Sequence, residues 1–361
     1  MIPLIFVNTD EDAISEQENR PLTQFPEIFV YDDLNMNYPV VMDNYLNDRI
    51  GFRDELIMIN ALIQYHVFGR MENGDRYRLG PDGEFNIIED GVVETYQHLN
   101  LYSDAEVDNI VASFQKVDDY LKDKDIDFYY MMCYDKGSIY PEYFPDSVIQ
   151  YGDISRTDQV INALTDNSSV TVVPVKENFL SQKSNYELYS KYGDPVHWTQ
   201  LGAFYGYSLL MNTINQNESG KEYPVLNEED FEISLTDQGM SFYFGVSREN
   251  ISEEFVLKNI SNVLCPNASD YYPSFEGYNT YYYTNENVSD DTKCLVICNS
   301  FFINYLRDMI SESFSETMFV WGIDPNIDKW IADYDPDIVI YESAERYESF
   351  ENIADTADSF E

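Results

Sequence analysis

The chain has 361 residues and a mass of 42.1 kDa, enough for one large domain or two smaller ones. Hydrophobic residues make up 44% and aromatic residues 16% of it, which excludes a wholly disordered protein. Its 66 acidic and 21 basic side chains give a formal net charge of −45, which argues against a nucleic-acid partner and against docking on anionic membranes. No stretch approaches the ~20 apolar residues of a membrane-spanning helix, so we predict no direct membrane span.

The cysteines and the acidic residues argue against a disulfide scaffold and against a calcium site. The chain has four cysteines without a C-x-x-C pair, too few for a disulfide scaffold, so we expect buried free thiols. The carboxylates are scattered as on a solvated acidic surface, and no EF-hand calcium loop is present. We therefore predict neither a metal nor an organic cofactor.

In chain order, residues 8–40 are acidic and proline-containing, which predicts an extended arm. Apolar residues recur at helical spacing over 41–68 and predict one long amphipathic helix or two. Residues 1–84 are accordingly assigned to an N-terminal arm and helix, and residues 85–361 to the main domain.

The main domain alternates predicted helices with short apolar strands. The predicted helices span 104–122, 198–214 and 301–314, and the predicted strands span 127–133, 170–175, 293–298, 317–321 and 337–341. Continuous apolar strands separated by helices indicate a parallel sheet covered on both faces. The predicted fold class is α/β.

The alternation stops between about 218 and 291, where the chain is rich in Tyr, Asn and Ser. Ligands of doubly wound sheets bind at the carboxyl ends of the strands, so such an insertion predicts a lid or a wall of the substrate site. A poorly ordered decoration is the alternative.

Histidine is scarce, which narrows the search for a catalytic base. His66 lies within the predicted N-terminal helix and His98 in a polar stretch without nearby partners, and both fit ordinary surface or packed positions. His197 differs, because it ends a Gly/Pro-containing turn directly before the predicted helix at 198–214.

Asp194 precedes His197 by three residues in that turn. Its carboxylate can accept the Nδ1 proton, which fixes the tautomer and leaves Nε2 free as a base. Alternatively, Asp194 or Thr199 only caps the helix and His197 packs against it.

Ser300 is the candidate nucleophile, since it lies where the apolar strand 293–298 meets the next predicted helix. In α/β hydrolytic folds this junction exposes a serine oxygen above the sheet, with backbone amides around it. The alternative is that Asn299 and Ser300 serve only as an N-cap, a place that both residue types favour.

Six segments occur in an order typical of a known family. They are Ser15-Glu-Gln-Glu-Asn-Arg-Pro-Leu22 followed by Pro26, Asn47-Asp-Arg-Ile-Gly-Phe-Arg53, Asp135-Lys-Gly-Ser-Ile-Tyr-Pro-Glu142, Asp194-Pro-Val-His-Trp-Thr-Gln-Leu-Gly-Ala203, Cys298-Asn-Ser-Phe301, and Pro336-Asp-Ile-Val-Ile340 with Glu345-Arg346. Nearly end to end, the chain thereby resembles the alginate-acetylation proteins (AlgX/AlgJ-like) and the related DHHW proteins of Gram-positive bacteria, which have an SGNH hydrolase-like domain.

The resemblance implies a flavodoxin-like three-layer sandwich with a catalytic triad of Ser300, His197 and Asp194. It implies transfer or removal of O-acetyl groups on an envelope or secreted polysaccharide through an acyl-serine. The partners would be a polysaccharide acceptor and an acyl donor, with a membrane acyltransferase as a possible source of acyl groups. The Ser300 backbone amide and Asn299 are the candidate oxyanion donors.

The sequence departs from the family pattern at two places. One extra residue separates Asp194 from His197, which is the spacing of ordinary SGNH hydrolases. Cys298 and Asn299 replace the usual glycine and aspartate before the serine, and a cysteine fits that turn only at negative φ. A catalytically silent glycan-binding or assembly module is therefore the alternative function.

Charge also bears on the substrate and location. A net charge of −45 repels polyuronates, so we expect a neutral or amine-bearing glycan held by aromatic faces such as Trp198 and the insertion tyrosines. Lys136 and Arg307, close to predicted strand ends, are the basic candidates for substrate contacts. The apolar stub at 1–7, the acidic arm and the resemblance predict an exported protein, tethered by an upstream segment.

Overall fold

The computed structural model describes residues 7–10, 14–15, 20–30, 33–68, 74–89, 91–216, 221–238, 249–322, 327–347 and 350–360. The chain packs as two compact units, residues 1–74 with 240–247, and residues 75–239 with 248–361. Residues 1–6 of the apolar stub, and 217–220 and 239–248 of the Tyr-rich insertion, lie outside the described residues.

The first unit has two helices, α1 Tyr38–Arg49 and α2 Arg53–Phe68, where the sequence predicted one or two. The helical path ends at Ile50, whose backbone is extended (φ −61°, ψ 134°), and Phe52, with a φ of 62° in the left-handed region, turns the chain before α2 begins. The arm ahead of them contains two short antiparallel pairs, formed by β1 Ile14–Ser15 with β2 Arg20–Pro21 and by β3 Phe29–Val30 with β4 Asp33–Leu34.

Arg49, at the end of α1, binds this arm through hydrogen bonds. Its buried guanidinium donates to the carbonyl oxygens of Thr23, at 2.7 Å, and Asn8, at 3.2 Å. The neighbouring Asp48 carboxylate accepts hydrogen bonds from the backbone N–H and the hydroxyl of Thr23, at 2.7 and 2.8 Å. The arm is thus held by charge-assisted hydrogen bonds to its backbone.

The second unit contains the α/β sandwich. Its helices are α3 Val92–Tyr96, α4 Asp104–Lys122, α5 Lys136–Ile139, α6 Arg156–Asn167, α7 Val175–Gln182, α8 Gln200–Asn215, α9 Ser300–Tyr305, α10 Arg307–Ser311, α11 Ile327–Tyr334 and α12 Glu351–Ser359. Its strands are β5 Tyr77–Leu79, β6 Phe85–Ile87, β7 Asp127–Cys133, β8 Thr171–Val172, β9 Phe231–Asp237, β10 Ile251–Leu257, β11 Val263–Cys265, β12 Thr280–Thr284, β13 Lys293–Cys298, β14 Glu316–Trp321 and β15 Ile338–Ala344.

The central sheet has seven strands in the order β11-β12-β14-β13-β15-β7-β8. The five strands from β14 to β8 run parallel, which confirms the predicted α/β class. Two strands from the insertion, β11 and β12, extend the sheet in antiparallel fashion, and β9 and β10 form a separate antiparallel hairpin. Part of the insertion therefore belongs to the sheet.

Helices cover both faces of this sheet. Successive residues of β7 point to opposite faces, so Tyr130 packs its ring against Phe114 of α4 at 4.7 Å, whereas Met131 lies against α8 at Gly206. The largest cluster of buried hydrophobic residues includes the four parallel strands β7, β13, β14 and β15, and a smaller cluster contains Ile87, Val92 and Phe144. The sandwich therefore has three layers.

Two predicted elements differ from the structure, and one helix was not predicted. The strand predicted at 170–175 is only Thr171–Val172, because Pro174 lacks the N–H that a ladder needs and precedes α7. The helix predicted at 301–314 is two short helices that meet at Leu306. Helix α6 was not predicted, although Ser155 and Asp158 form a capping box at its start.

Among the described residues, no helix is both long and apolar enough to cross a membrane.

Gly202 lets α8 start close to the preceding loop, since a Cβ there would lie 2.2 Å from the Leu188 carbonyl oxygen. Gly202→Ala gains about 1 kcal/mol of helix propensity but forces this backbone apart, so we expect a net loss of about 1–3 kcal/mol of unfolding free energy. Denaturant unfolding followed by tryptophan fluorescence measures it, since all three tryptophans lie in the second unit.

Ser208→Ala, on the same helix, is the matched control and is expected to change stability by less than about 0.5 kcal/mol. A Gly202→Ala variant as stable as this control would show that the close approach is not strained.

Candidate active site

Ser300 is the first residue of α9, directly after β13. The Asn299 side-chain Oδ1 caps the helix by accepting the Phe301 N–H at 3.1 Å. The Asn299 N–H in turn donates to the buried Glu342 carboxylate on β15, at 2.7 Å. Cys298 is not among the described non-glycine residues with positive φ, so the turn accepts a cysteine where the family has glycine.

His197 and Asp194 lie in the loop before α8. Asp194 Oδ1 accepts the backbone N–H groups of Val196 and His197, at 2.7 and 3.2 Å, which fixes the carboxylate in the turn. Its Oδ2 lies 2.9 Å from His197 Nδ1. An ionised carboxylate only accepts hydrogen bonds, so Nδ1 carries the proton and Nε2 has a free lone pair.

The loop brings His197 to the serine. His197 Nε2 lies 2.8 Å from Ser300 Oγ, although 103 residues separate them in the sequence. This distance is inside the limit of about 4 Å expected for a serine and its base in an unliganded site. Ser300, His197 and Asp194 therefore form one hydrogen-bonded row at the end of the parallel strands.

Asp194 is held in its charged form. Burial acts to raise its pKa, but the hydrogen bond from His197 and those from two backbone amides outweigh burial and lower the pKa below its usual value. Tyr305 lies beside the imidazole and the Asp194 carboxylate, with its ring centre 5.7 Å from that of His197. Burial raises the pKa of Tyr305, and the Asp194 carboxylate adds to this rise, so the phenol is neutral.

Two predicted substrate contacts are corrected by their burial. Trp198 is only 1% exposed, and its ring packs edge-on against Phe301 at 5.2 Å, so it joins α8 to α9 and presents no face to a sugar. Lys136 is 2% exposed, and its ammonium donates to the backbone oxygen of Phe85. Burial lowers the pKa of Lys136 to about 7, against the pull of nearby carboxylates. Neither residue can reach a glycan.

Arg307 as a substrate contact and Asn299 as an oxyanion donor stay predictions. The Arg307 guanidinium is half-exposed and lies over the Tyr281 ring, 4.1 Å from its centre. The Asn299 backbone N–H donates to Glu342, and its Oδ1 accepts the Phe301 N–H as a helix cap. The side-chain NH₂ is therefore the group of Asn299 that can donate to an oxyanion. The Ser300 backbone N–H, at the open end of α9, is the second candidate oxyanion donor.

Arg346 is a positioning residue that the sequence analysis did not assign. Its guanidinium pairs with the Asp135 carboxylate at 2.5 Å and donates to the Val196 carbonyl oxygen at 2.9 Å, inside the turn between Asp194 and His197. Both side chains of the pair are less than 5% exposed. Burial acts to lower the pKa of Arg346, but Asp135 outweighs burial and raises it.

Glu345, the neighbour of Arg346, is fully buried beside Asp135. Its Oε2 accepts hydrogen bonds from the Asp135 N–H, at 2.9 Å, and the Ser138 hydroxyl, at 2.7 Å. Burial, followed by the Asp135 charge, raises the pKa of Glu345 to about 7. The E-R pair quoted in the sequence could have indicated this cluster, but not its contacts.

Arg346→Met leaves Asp135 buried without its cation, so we expect a loss of about 3–5 kcal/mol of unfolding free energy. The double variant Asp135→Leu/Arg346→Met removes both charges and should recover most of that loss. Chemical denaturation of the three proteins measures the coupling, and equal stabilities of the single and double variants would contradict it.

Glu345 should also make stability depend on pH. The unfolded chain releases this proton near pH 4.5 and the folded chain only near pH 7, so unfolding free energy falls as pH rises between these values. Relative to Glu345→Gln, the wild type should lose at most about 3 kcal/mol over this range and then level off. Unfolding curves from pH 4.5 to 8 test this, with the exposed Glu94→Gln as the surface control; a difference independent of pH would refute it.

Comparisons with known proteins agree with this architecture. Residues 93–239 match the family model described as SGNH hydrolase-like domain, acetyltransferase AlgX. No curated protein matches the chain.

Solved structures share the fold at low sequence identity. PatB1 of Bacillus cereus is 17% identical, with 71% of this chain and 93% of PatB1 covered and a TM-score of 0.52. The same protein with a sulfonyl adduct gives 17% identity, 67% and 90% coverage and a TM-score of 0.51. A DHHW family protein from Eubacterium siraeum is 14% identical over 78% of this chain and 96% of its own, with a TM-score of 0.50.

The resemblance drawn from the six sequence segments is thereby confirmed, and residues 93–239 carry an SGNH hydrolase-like domain of the AlgX type.

Proposed function

We propose that the protein is an SGNH-type O-acetyltransferase or acetylesterase that acts on a cell-envelope or secreted polysaccharide. The observation that carries this proposal is the unbroken row from Asp194 Oδ2 to His197 Nδ1, at 2.9 Å, and from His197 Nε2 to Ser300 Oγ, at 2.8 Å. Such a row is the arrangement in which a serine is activated as a nucleophile. The match to an acetyltransferase domain supports an acetyl group as the one transferred.

The first half of the reaction would form an acyl-enzyme. As Ser300 Oγ attacks the acetyl carbonyl carbon, its proton moves to His197 Nε2, and the carbonyl oxygen becomes an oxyanion. The Ser300 backbone N–H and the Asn299 side-chain amide are the donors proposed for this oxyanion. When the carbon–oxygen bond to the donor alcohol breaks, His197 returns the proton to the leaving oxygen.

The second half would pass the acetyl group onward. A sugar hydroxyl, or water in the esterase reaction, loses its proton to His197 Nε2 while its oxygen attacks the acetyl carbon. The tetrahedral intermediate collapses, Ser300 Oγ leaves with the proton from His197, and the serine is regenerated. Asp194 retains its negative charge throughout and holds the imidazole in position.

The match to the family model supports a polysaccharide substrate and an extracytoplasmic location. Members of this family act on polysaccharides outside the cytoplasm, and we propose the same location for this chain, with an acyl donor supplied by a partner such as a membrane acyltransferase. Fractionation of cells that express the native gene tests this location, and recovery in the cytosol alone would refute it.

Ser300→Ala removes the nucleophile, so hydrolysis of p-nitrophenyl acetate should fall by at least about 10³-fold in kcat. Ser208→Ala, a serine on α8 outside the row, is the control and should keep full activity. Serine-independent turnover would contradict the triad.

A sulfonyl fluoride offers an independent readout, since it reacts with activated nucleophiles and PatB1 is known with a sulfonyl adduct. We expect one sulfonyl group per wild-type chain by mass spectrometry and none on Ser300→Ala. If neither turnover nor labelling occurs while glycan binding persists, the protein is instead a silent glycan-binding or assembly module.

A further inference from the structure

A cavity of 260 Å³ lies next to the proposed triad, between the start of α8, the α9–α10 segment and β10. Tyr305 connects the cavity with the triad, because it lines the cavity and its ring centre lies 5.7 Å from that of His197. Asn304, also on the cavity wall, lies one helical turn after Ser300, and side chains on a helix lean toward its N-terminus. The cavity therefore opens beside the nucleophile.

The polar groups of this cavity are amides, one phenol and one carboxylate. Asn304 is exposed, and its side-chain amide is not hydrogen-bonded to another residue in the described part of the chain. The Oε1 of Gln200 accepts a hydrogen bond from the Phe255 N–H, at 2.7 Å, and its NH₂ group remains as a donor for a ligand. With Asp308 these groups offer both donors and acceptors, which is what sugar hydroxyls require.

Apolar side chains form the rest of the wall. Phe255 and Leu257 of β10 and Met309 of α10 contribute to it. The volume lies just below that of pockets for drug-sized ligands, about 300–1,000 Å³, so it suits one or two sugar units. A polar row facing an apolar wall matches a pyranose, which has hydroxyls at its rim and C–H groups on its faces.

Charge excludes one class of sugar from this cavity. Among the described residues that line it, Asp308 is the only charged one, and none is a lysine or an arginine. Arg307, next in sequence, is held over the Tyr281 ring. A uronic acid would meet the Asp308 carboxylate without a cation to offset it, in a chain whose net charge is −45.

The geometry points to this cavity as the acceptor subsite, which binds a sugar unit without a negative charge next to Ser300 through Asn304, Gln200 and Asp308. The assignment of the bound sugar as acyl acceptor rests on the proposed function, whereas the exclusion of acidic sugars does not. The sugar hydroxyl that receives the acetyl group would lie between Asn304 and His197.

Binding to the Ser300→Ala protein tests the subsite without turnover. Calorimetry at low salt, about 10 mM, compares tetramers of N-acetylglucosamine, glucosamine and galacturonic acid, because charges then act over about 30 Å. We expect the uncharged N-acetylglucosamine tetramer to bind and the galacturonic acid tetramer to bind at least about tenfold more weakly. Galacturonic acid binding as tightly as either of the other two tetramers would overturn the proposal, whereas the ammonium groups of glucosamine are attracted by Asp308 and should strengthen its binding.

Two further changes in the Ser300→Ala background locate the site. Asn304→Ala removes one or two hydrogen bonds and should weaken binding of the N-acetylglucosamine tetramer about three- to tenfold. Asp308→Lys should strengthen binding of the galacturonic acid tetramer about two- to fivefold. Asp166→Lys, the same charge change on the exposed end of α6, should leave both affinities unaltered.

These outcomes separate the two proposals. If both cavity variants bind as the parent does, or if Asp166→Lys matches Asp308→Lys, the cavity is not the subsite, whatever the activity of Ser300. If binding follows the expected pattern but the wild type lacks Ser300-dependent acetyl hydrolysis, the subsite holds and the enzymatic proposal fails.

Discussion

The buried guanidinium of Arg346 is the contact on which the geometry of the site depends. It joins the end of β7, through Asp135, to the turn between Asp194 and His197, through the Val196 carbonyl. It also lies over the ring of Phe301, the residue after Ser300, 5.7 Å from the ring centre. The parallel strands bring these segments to one edge of the sheet. Because Arg346 contacts all of them, it fixes their positions relative to each other closely enough for hydrogen bonds to form between them.

This arrangement places several charges where water does not reach. Asp135, Lys136, Glu342, Glu345 and Arg346 are each less than 5% exposed. The cost of desolvation is offset by pairing, by backbone hydrogen bonds and, for Glu345, by retention of a proton up to about pH 7. A polar layer of this kind stabilises the fold less than an apolar one would, but it holds the turn with Asp194 and His197 and the turn with Ser300 in one relative position.

Local signals allowed much of this to be predicted from sequence. Helix α4 and strands β7 and β13 have strong periodicity or continuous apolar runs, and they occur within one residue of the predicted bounds. Asp194 and His197 were identifiable because their contact is made within one turn. Ser300 could be chosen because a strand precedes it and a helix follows it, and these are short-range properties.

The rest depends on tertiary contacts that no short window contains. Trp198 looks like a sugar platform beside His197, but Gly206, eight residues later, leaves room for its ring beneath α8. Arg346 contacts a carbonyl 150 residues away, and Glu342 accepts an N–H 43 residues away. The direction of β12 is likewise decided by pairing with β14, not by its own tyrosine-rich sequence.

The burial of the cysteines determines how the protein reacts with oxidants. Cys133, Cys294 and Cys298 are buried in the central strands, and burial raises the pKa of each thiol. Because only the thiolate attacks a disulfide or a peroxide, these three sulfurs are nearly inert while the sheet is intact. Cys265, on the edge strand β11, is the more accessible thiol. In the folded molecule, disulfide exchange can therefore start only slowly at the three buried thiols and more readily at Cys265, whereas local opening of the central strands would expose the other three thiols at once.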